Sequence, residues 1–314
     1  MSSDASPGRP PGEIHAGLVG LTGRPNVGKS TLLNALVGRK VSIVTHKPQT
    51  TRHRIMGVRH ERGYQFVFVD TPGIHLKAKR ALNKTLNRSA AAILDDVDII
   101  VFVIEALRFT EEDDNVLRRL RNRDNVVLAV NKVDQVSDKA ELLPFLEEVA
   151  GRMAFAAVVP LSALKTKNLD PLLDELRRRL PESPPFFPED QYTDRGTRFT
   201  IAETVREKLM ERLHEELPYS LTVTVDQLAD EPPRVEGRGN GLLRIGATIW
   251  VEREGQKSIV IGKGGDMLKQ VGRAARESLE AQFGRKVFLE LWVKLREAWA
   301  DDPRQLRELG IDEQ

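Results

Sequence analysis

The feature that most constrains this chain is the run Gly23-Arg24-Pro25-Asn26-Val27-Gly28-Lys29-Ser30, which fits G-x-x-x-x-G-K-[ST]. The apolar residues 18–21 before it predict a strand, and residues 31–37 after it, stopped by Gly38, predict a helix. A glycine-bearing loop between strand and helix lets backbone N–H groups curl inward around phosphate oxygens, and the helix N-terminus adds partial positive charge. Lys29 is expected to neutralise the β and γ phosphates, Ser30 to offer a hydroxyl to Mg²⁺, and Thr31 to complete the loop's nucleotide-binding set. Such a loop belongs in a parallel sheet. Apolar runs do recur at 66–69, 99–104, 126–130 and 157–161, with helix-period segments such as 82–94 and 142–149 between them. Runs apolar on both faces and separated by helices predict a mostly parallel sheet covered on both sides.

Further motifs stand at the ends of those runs, in the order a phosphate-loop GTPase needs. In Asp70-Thr71-Pro72-Gly73, Asp70 can hold Mg²⁺ through water and the Gly73 N–H can reach the γ-phosphate. In Asn131-Lys132-Val133-Asp134, the Asp134 carboxylate can accept two hydrogen bonds from the N1–H and amino group of guanine. Adenine offers no such pair, and a desolvated carboxylate left unpaired costs about 1–3 kcal/mol, so the motif selects GTP over ATP. Ser162-Ala163-Leu164 is expected to present the Ala163 N–H to guanine O6. Between the first two motifs lies Gln49-Thr50-Thr51-Arg52-His53-Arg54, where a threonine would complete Mg²⁺ coordination and make the segment a switch loop. Thr51 is the expected third metal ligand beside Ser30 and Asp70, with Thr50 the alternative. Lys29, Thr51, Asp70, Gly73 and Asn26 form the expected catalytic set. Ile74 follows Gly73 where Ras-type enzymes carry a water-orienting Gln, so slow intrinsic hydrolysis is expected.

Four prolines within residues 181–188 cannot sit in a helix or a central strand, and they predict a linker over 181–196 between domains at 13–180 and 197–299. Beyond it, Ile201, Val205, Leu209, Leu213 and Leu217 form a helical stripe. Strands follow at 221–225 and 242–251, then two helices joined at Ile261-Gly262-Lys263-Gly264-Gly265, then a strand at 287–293. In KH domains a G-x-x-G corner of this kind lets a single-stranded nucleic-acid backbone approach closely, and Lys263 would pair with phosphate. Lys269, Arg273 and Arg276 share one face of the second helix, with Leu268, Val271, Ala275 and Leu279 on the other. From Lys257 to Lys286 there are seven basic and three acidic residues, whereas the whole chain balances 48 Lys and Arg against 46 Asp and Glu. That local excess is an electrostatic footprint for an RNA backbone. Few aromatics occur there, so apolar contacts from Ile259 and Ile261 to base edges are expected rather than stacking.

These motifs resemble the translation-factor-related GTPases, and in every segment they are most similar to the Era family, from Ile14 to about Trp299. The resemblance implies an α/β P-loop GTPase domain, its mostly parallel sheet carrying helices on both faces, followed by an α+β type II KH domain. It implies GTP and GDP as ligands, 16S rRNA near its 3′ end and the small ribosomal subunit as partners, and a role in that subunit's maturation. Relatives with Asn at the place of Asn26 use K⁺ beside the phosphates, so K⁺ stimulation is expected. The family is also described as loosely membrane-associated, which implies a peripheral contact.

The chain has no cysteine, which excludes disulfides, thiolate zinc sites and a cysteine nucleophile. Its six His are scattered without ligand spacing. No window reaches the roughly 18 apolar residues of a membrane span, and residues 1–11 lack the pattern of a signal peptide. A cytoplasmic monomer is expected, with a disordered tail at 1–12 and a charged, fraying tail at 300–314. Two alternatives stay open: a GTP-timed regulator of other RNAs, and a membrane-linked signalling GTPase whose second domain docks protein. The helix at 201–217 carries Arg206, Lys208 and Arg212 and could lie on a membrane. Glu203, Glu207, Glu211, Glu215 and Glu216 on the same polar face disfavour anionic lipid, and packing under the KH sheet is expected.

Overall fold

The computed structural model describes residues 14–47, 50–70, 82, 86, 94–213, 217, 220–232, 241–309 and 311. The expected tail at 1–12 lies outside these residues, as do Gln49, Thr71, Pro72, Gly73, Ile74, Glu215 and Glu216. The chain divides into two compact units, one of residues 1–41, 54–76 and 89–194, the other of residues 42–53, 77–88 and 195–314.

The first unit runs β1 (Ile14–Thr22), α1 (Lys29–Val37), β2 (Ile55–Glu61), β3 (Tyr64–Asp70), β4 (Ile99–Glu105), α2 (Glu111–Leu120), β5 (Val126–Asn131), α3 (Leu142–Ala150), β6 (Ala157–Pro160), α4 (Leu169–Arg177) and β7 (Glu182–Ser183). The sheet order is β2-β3-β1-β4-β5-β6, with β7 pairing β1. All pairs among β3, β1, β4, β5 and β6 are parallel, while β2 on β3 and β7 on β1 are antiparallel. Strand β4 is buried along nearly its whole length, with Ile100, Phe102 and Ile104 packed in one cluster with Val116, Leu117 and Leu120 of α2. Strand β2 was not apparent in the sequence, because Gly57 and the polar end Arg59-His60-Glu61 interrupt its apolar pattern. The glycine has a packing reason: a Cβ there would stand 2.6 Å from Val37 and 2.8 Å from Leu33 of α1.

The proline-rich stretch runs bound to this unit. Ala16 N donates to Pro181 O at 3.1 Å, Phe186 N to Gln65 Oε1 at 2.6 Å, Val58 N to Tyr192 O at 2.9 Å and Met56 N to Asp194 Oδ1 at 2.8 Å. A segment that cannot build its own ladder is thus satisfied by the free edges and side chains of a neighbouring sheet.

The second unit runs α5 (Thr197–Arg212), β8 (Leu221–Glu231), β9 (Leu242–Val251), α6 (Glu254–Ile261), α7 (Asp266–Phe283), β10 (Lys286–Leu295) and α8 (Pro303–Glu308). Its sheet is ordered β10-β9-β8, antiparallel between β8 and β9 and parallel between β9 and β10. The predicted stripe Val205, Leu209, Leu213 and Leu217 meets Val223, Ala247, Ile249, Val271 and Ala275 in one buried cluster. Ile201 joins a second cluster with Ile245 and Leu279.

Two expectations are corrected here. The supposed polar face of the helix at 201–217 is largely covered: Glu203, Arg206 and Glu207 are buried as well as the apolar stripe. Segment 42–53 is what covers it. Arg206 donates to Thr50 O and pairs with Glu203 at 2.6 Å, Val44 N donates to Glu207 Oε1 at 3.1 Å, and Arg52 donates to Leu221 O at 2.7 Å. The charged C-terminus does not fray at residue 300. Trp299, Ala300, Leu306 and Ile311 form a buried cluster with Leu82 and Leu86, because the few apolar side chains of a mostly charged tail all fall on one side. Among the described residues, no helix is long and apolar enough to cross a membrane.

Candidate functional site

In the first unit the loop between β1 and α1 is held by backbone geometry that its sequence allows. Gly23 and Gly28 have φ of 149° and 101°, and a Cβ on them would collide with the Val103 carbonyl oxygen and with Asn131 Nδ2 respectively. Asn26 takes a left-handed φ of 64° at the exposed tip between Pro25 and Val27. Lys29 is buried and its Nζ donates to Gly23 O and Arg24 O, both at 2.9 Å, so the ammonium spans the mouth of the loop. Burial pushes its pKa down to about 8, against the opposing pull of Asp70. Ser30 Oγ donates to Asp70 Oδ2 at 2.6 Å. A hydroxyl and a carboxylate oxygen meeting beside the loop form a hard-oxygen donor set that fits Mg²⁺. Thr31 lies in the first turn of α1.

Arg24, one of the variable positions of the motif, carries more than the sequence indicated. The residue is 5% exposed; Nε donates to Asp113 Oδ2 at 3.0 Å and Nη2 to Glu105 Oε2 at 2.6 Å. The same Asp113 oxygen accepts from Thr110 N at 2.9 Å and Thr110 Oγ1 at 2.8 Å, capping α2. Glu105 also meets Lys132 Nζ at 3.3 Å. Burial alone would raise the Glu105 carboxyl; hydrogen bonds from Arg24 and Lys132 outweigh it and hold the group below its ordinary range. The Thr110…Asp113 spacing is a capping signature visible in the sequence, but nothing local announced that Arg24 is its partner.

At the end of β5, Asn131 acts as a strut. Its Nδ2 donates to Val27 O at 2.8 Å and its Oδ1 accepts from Ala163 N at 2.9 Å, joining the phosphate loop, the Asn131–Asp134 turn and the Ser162-Ala163-Leu164 loop. The Ala163 N–H, the donor expected for guanine O6, is the group that meets Asn131. Ser162 Oγ accepts from Lys165 N at 3.1 Å, and Leu164 is exposed. Lys132 takes φ of 66°, Val133 begins the short 3₁₀ turn that follows, and Asp134 is exposed there. Of the expected metal ligands, Ser30 and Asp70 meet in this unit, whereas Thr51 is buried within segment 42–53 of the other.

In the second unit the corner Ile261-Gly262-Lys263-Gly264-Gly265 joins α6 to α7 as predicted. Its glycines differ in purpose. At Gly262 (φ 74°) a Cβ would stand 2.7 Å from Met267 Cβ and 2.9 Å from Met267 N, so the residue is required by packing. Gly264 and Gly265 also have positive φ, but nothing lies within 4 Å of a Cβ there, which leaves an open surface. Lys263, Lys269 and Arg273 are exposed, Arg276 sits 3.7 Å from Glu280, and Ile259 is 58% exposed. Val271, Ala275 and Leu279 are buried on the opposite side, and Leu268 packs against that core.

A phosphate loop, a strand-end aspartate and an Asn-Lys-x-Asp turn on a mostly parallel sheet define a phosphate-loop GTPase, here carrying a KH module. Residues 18–132 match the family described as 50S ribosome-binding GTPase, and residues 216–300 match the KH domain family. GTPase Era of Xanthomonas oryzae pv. oryzae (strain MAFF 311018) is 52% identical over 99% of this chain and 100% of its own length, and that of Stenotrophomonas maltophilia (strain R551-3) is 52% identical over 95% and 98%. The chain belongs to the Era family of GTPases. Among solved structures, Aquifex aeolicus Era bound to GDP and AlF₄⁻ aligns with a TM-score of 0.88 at 38% identity, covering 96% of this chain and 100% of that one. An Era in complex with MgGDPNP and nucleotides 1506–1542 of 16S ribosomal RNA aligns with a TM-score of 0.89 at the same identity and coverage.

Proposed function

We propose that this GTPase uses Mg²⁺, turns over slowly on its own, and binds the 3′ region of 16S rRNA through its KH module during maturation of the small ribosomal subunit. The observation that carries the reading is the presence, on one chain, of a formed phosphate loop with Ser30 against Asp70 and of a glycine corner whose outer surface is open. The related Era structure that holds MgGDPNP with a 16S rRNA fragment supports both the metal and the choice of RNA.

Ser30 and Asp70 would hold Mg²⁺, whose charge offsets that of the β and γ phosphates when it is bound. Lys29 exchanges its two carbonyl partners for phosphate oxygens, and Asp134 accepts from the N1–H and amino group of guanine. Thr51, with Thr50 as the alternative, would add a protein oxygen to the metal, and the Gly73 N–H would serve the γ-phosphate. Ile74 cannot orient water, so Asn26 would help hold K⁺ beside the phosphates to raise the rate; identical single-turnover rates in Na⁺ and K⁺ would remove that role.

Coupling follows from what holds segment 42–53. Thr50 O accepts from Arg206 and Val44 N donates to Glu207, so the segment that carries Thr51 is held by a helix of its own unit. GTP would draw on the same segment through Thr51, and RNA affinity would shift with the nucleotide state. The protein would work in the cytoplasm. With Glu203, Arg206 and Glu207 buried, α5 offers a membrane surface little of the polar face it needs.

The test is binding of nucleotides 1506–1542 of 16S rRNA, against a scrambled RNA, at fixed salt with GDP or GDPNP. Tighter and sequence-selective binding with GDPNP is expected. Equal, weak and steeply salt-dependent binding of both RNAs in both states would reduce the corner to a basic patch.

A further inference from the structure

At the end of β4 one carboxylate faces cations from two different loops. Glu105 Oε2 accepts from Arg24 Nη2 at 2.6 Å, and Oε1 stands 3.3 Å from Lys132 Nζ. Arg24 belongs to the phosphate loop, where its carbonyl oxygen also accepts from Lys29, and Lys132 opens the turn that carries Asp134. Arg108, exposed and 3.9 Å from Oε2, is a looser third cation. We propose that Glu105 is a positioning residue for guanine selectivity: by tethering Lys132 it holds the Asn131–Asp134 turn in place against the phosphate loop, so that Asp134 is aimed before the base arrives; this rests on the reading of Asp134 as the guanine acceptor and deepens it.

The carboxylate is launched from a fixed point. Glu105 pairs with Asn131 across β4 and β5, Ala106 N donates to Asn131 O at 2.8 Å, and Arg108 N closes a turn on Glu105 O at 3.2 Å. Lys132, by contrast, takes a left-handed φ of 66°, which a residue with a Cβ adopts at a cost and keeps only where its neighbours enforce it. Val133 N fastens the turn to Leu161 O at 3.3 Å, and Glu105 holds it from the β4 side. Released, the lysine would have room to move: a cavity of about 340 Å³ bordered by Leu107, Lys132, Val136, Asp138 and Glu141 opens beside it.

The bridge needs both carboxylate oxygens at once. Aspartate is one methylene too short to span it. Glutamine has a single acceptor oxygen, which the more deeply buried Arg24 would take, leaving amide N–H groups toward Lys132. Coulomb attraction alone argues the opposite way, because removing a negative charge beside an anion site favours polyphosphate. The sign of the effect therefore separates a tether from a bare charge. The sequence gave no hint of this role, since Glu105 lies 81 residues from Arg24 and reads as an ordinary polar end to an apolar run.

The experiment compares GDP with inosine diphosphate (IDP), which keeps the N1–H but lacks the amino group, so the ratio of their affinities reads how well Asp134 meets the base. Calorimetry on the full-length protein covers wild type, Glu105→Gln, Glu105→Asp, Lys132→Met and Glu105→Gln/Lys132→Met. Glu105→Gln and Glu105→Asp should bind GDP about two- to tenfold more weakly, the cost of ordering one long side chain on binding, with a smaller GDP-to-IDP ratio. Lys132→Met should behave alike, and adding Glu105→Gln to it should change neither quantity by more than about twofold. Tighter GDP binding in Glu105→Gln would overturn the tether in favour of a bare charge effect. Equal losses for GDP and IDP would overturn it in favour of a general loss of rigidity, and additive losses in the double variant would cut the link through Lys132. If Glu105→Gln does not fold, Glu105→Asp, which keeps the charge, decides the same question. If wild type binds GDP and IDP alike, the reading of Asp134 is what fails, and the tether's role in selectivity falls with it.

Discussion

Arg24→Met should destabilise the first unit by about 3–4 kcal/mol without touching the phosphate-binding glycines or Lys29. Arg24 is 5% exposed and its two partners differ in how much they depend on it. Asp113 is fully buried and keeps only the Thr110 N and Oγ1 donors once Arg24 Nε is gone. Removing one member of a buried ion pair costs about 3–5 kcal/mol, and the surviving donors place Asp113 near the lower end. Glu105 has an 18% exposed side chain and retains Lys132, so its loss is about 1 kcal/mol or less. Arg24→Met/Asp113→Asn removes the stranded charge and should recover about 2 kcal/mol relative to simple addition of the single effects. All three tryptophans lie in the second unit, so emission does not follow this one. Native-state hydrogen exchange read by mass spectrometry on β4 and α2 does, with α5 as an internal reference. A cost below about 1 kcal/mol in Arg24→Met, or strict additivity in the double variant, would refute the argument that Arg24 neutralises a buried carboxylate.

Three more outcomes are expected. Burial alone would raise the Glu203 carboxyl, but the charge and hydrogen bonds of Arg206 outweigh it, with smaller help from His53 and Arg52, and hold it below its ordinary value of 4.5. Because the unfolded chain then binds more protons, this pair's stabilisation is present above pH 4.5 and is lost as pH falls through the lowered value; urea unfolding followed by tryptophan emission should show that loss in wild type and a shallower one in Glu203→Gln. Gly262→Ala should cost about 2–4 kcal/mol from the clash with Met267 and the positive φ, whereas Gly264→Ala, with open space around it, should cost about 1 kcal/mol, both measured by the same unfolding. Asn131→Asp puts a carboxylate oxygen against Val27 O in place of a donor, and GDP affinity by calorimetry should fall at least tenfold with the loop no longer braced.

What the sequence disclosed and what it withheld follow from how far each signal reaches along the chain. Gly23 to Ser30, Asp70 and Asn131 to Asp134 were legible because each sits at the end of an apolar run, and strand-end loops gather wherever parallel strands align. The stripe was legible from Ile201 to Leu209 because helical period is a local property, but the helix ends at Arg212, so Leu213 and Leu217 reach the core from beyond it. Arg24 was not, because its partner lies 89 residues away and the motif leaves its position variable. The charged tail misled for the opposite reason: composition averages over residues, while Leu306 and Ile311 are buried one at a time against Trp299, Leu82 and Leu86. Segment 42–53 makes the consequence most concrete. Its motif reads as a nucleotide switch, yet here Thr50 O and Val44 N are held by Arg206 and Glu207, charged residues that a helical wheel assigns to solvent. Burying Arg206 is tolerable because Glu203 on the same helix supplies its counter-charge at 2.6 Å, with Thr50 O as a further acceptor, since an unpaired buried charge is strongly destabilising. Moving the segment would take Thr50 O from Arg206 and Val44 N from Glu207, while Arg206 keeps Glu203 and Glu207 keeps Lys208, so the ion pairs within the helix stay in place when the segment does not.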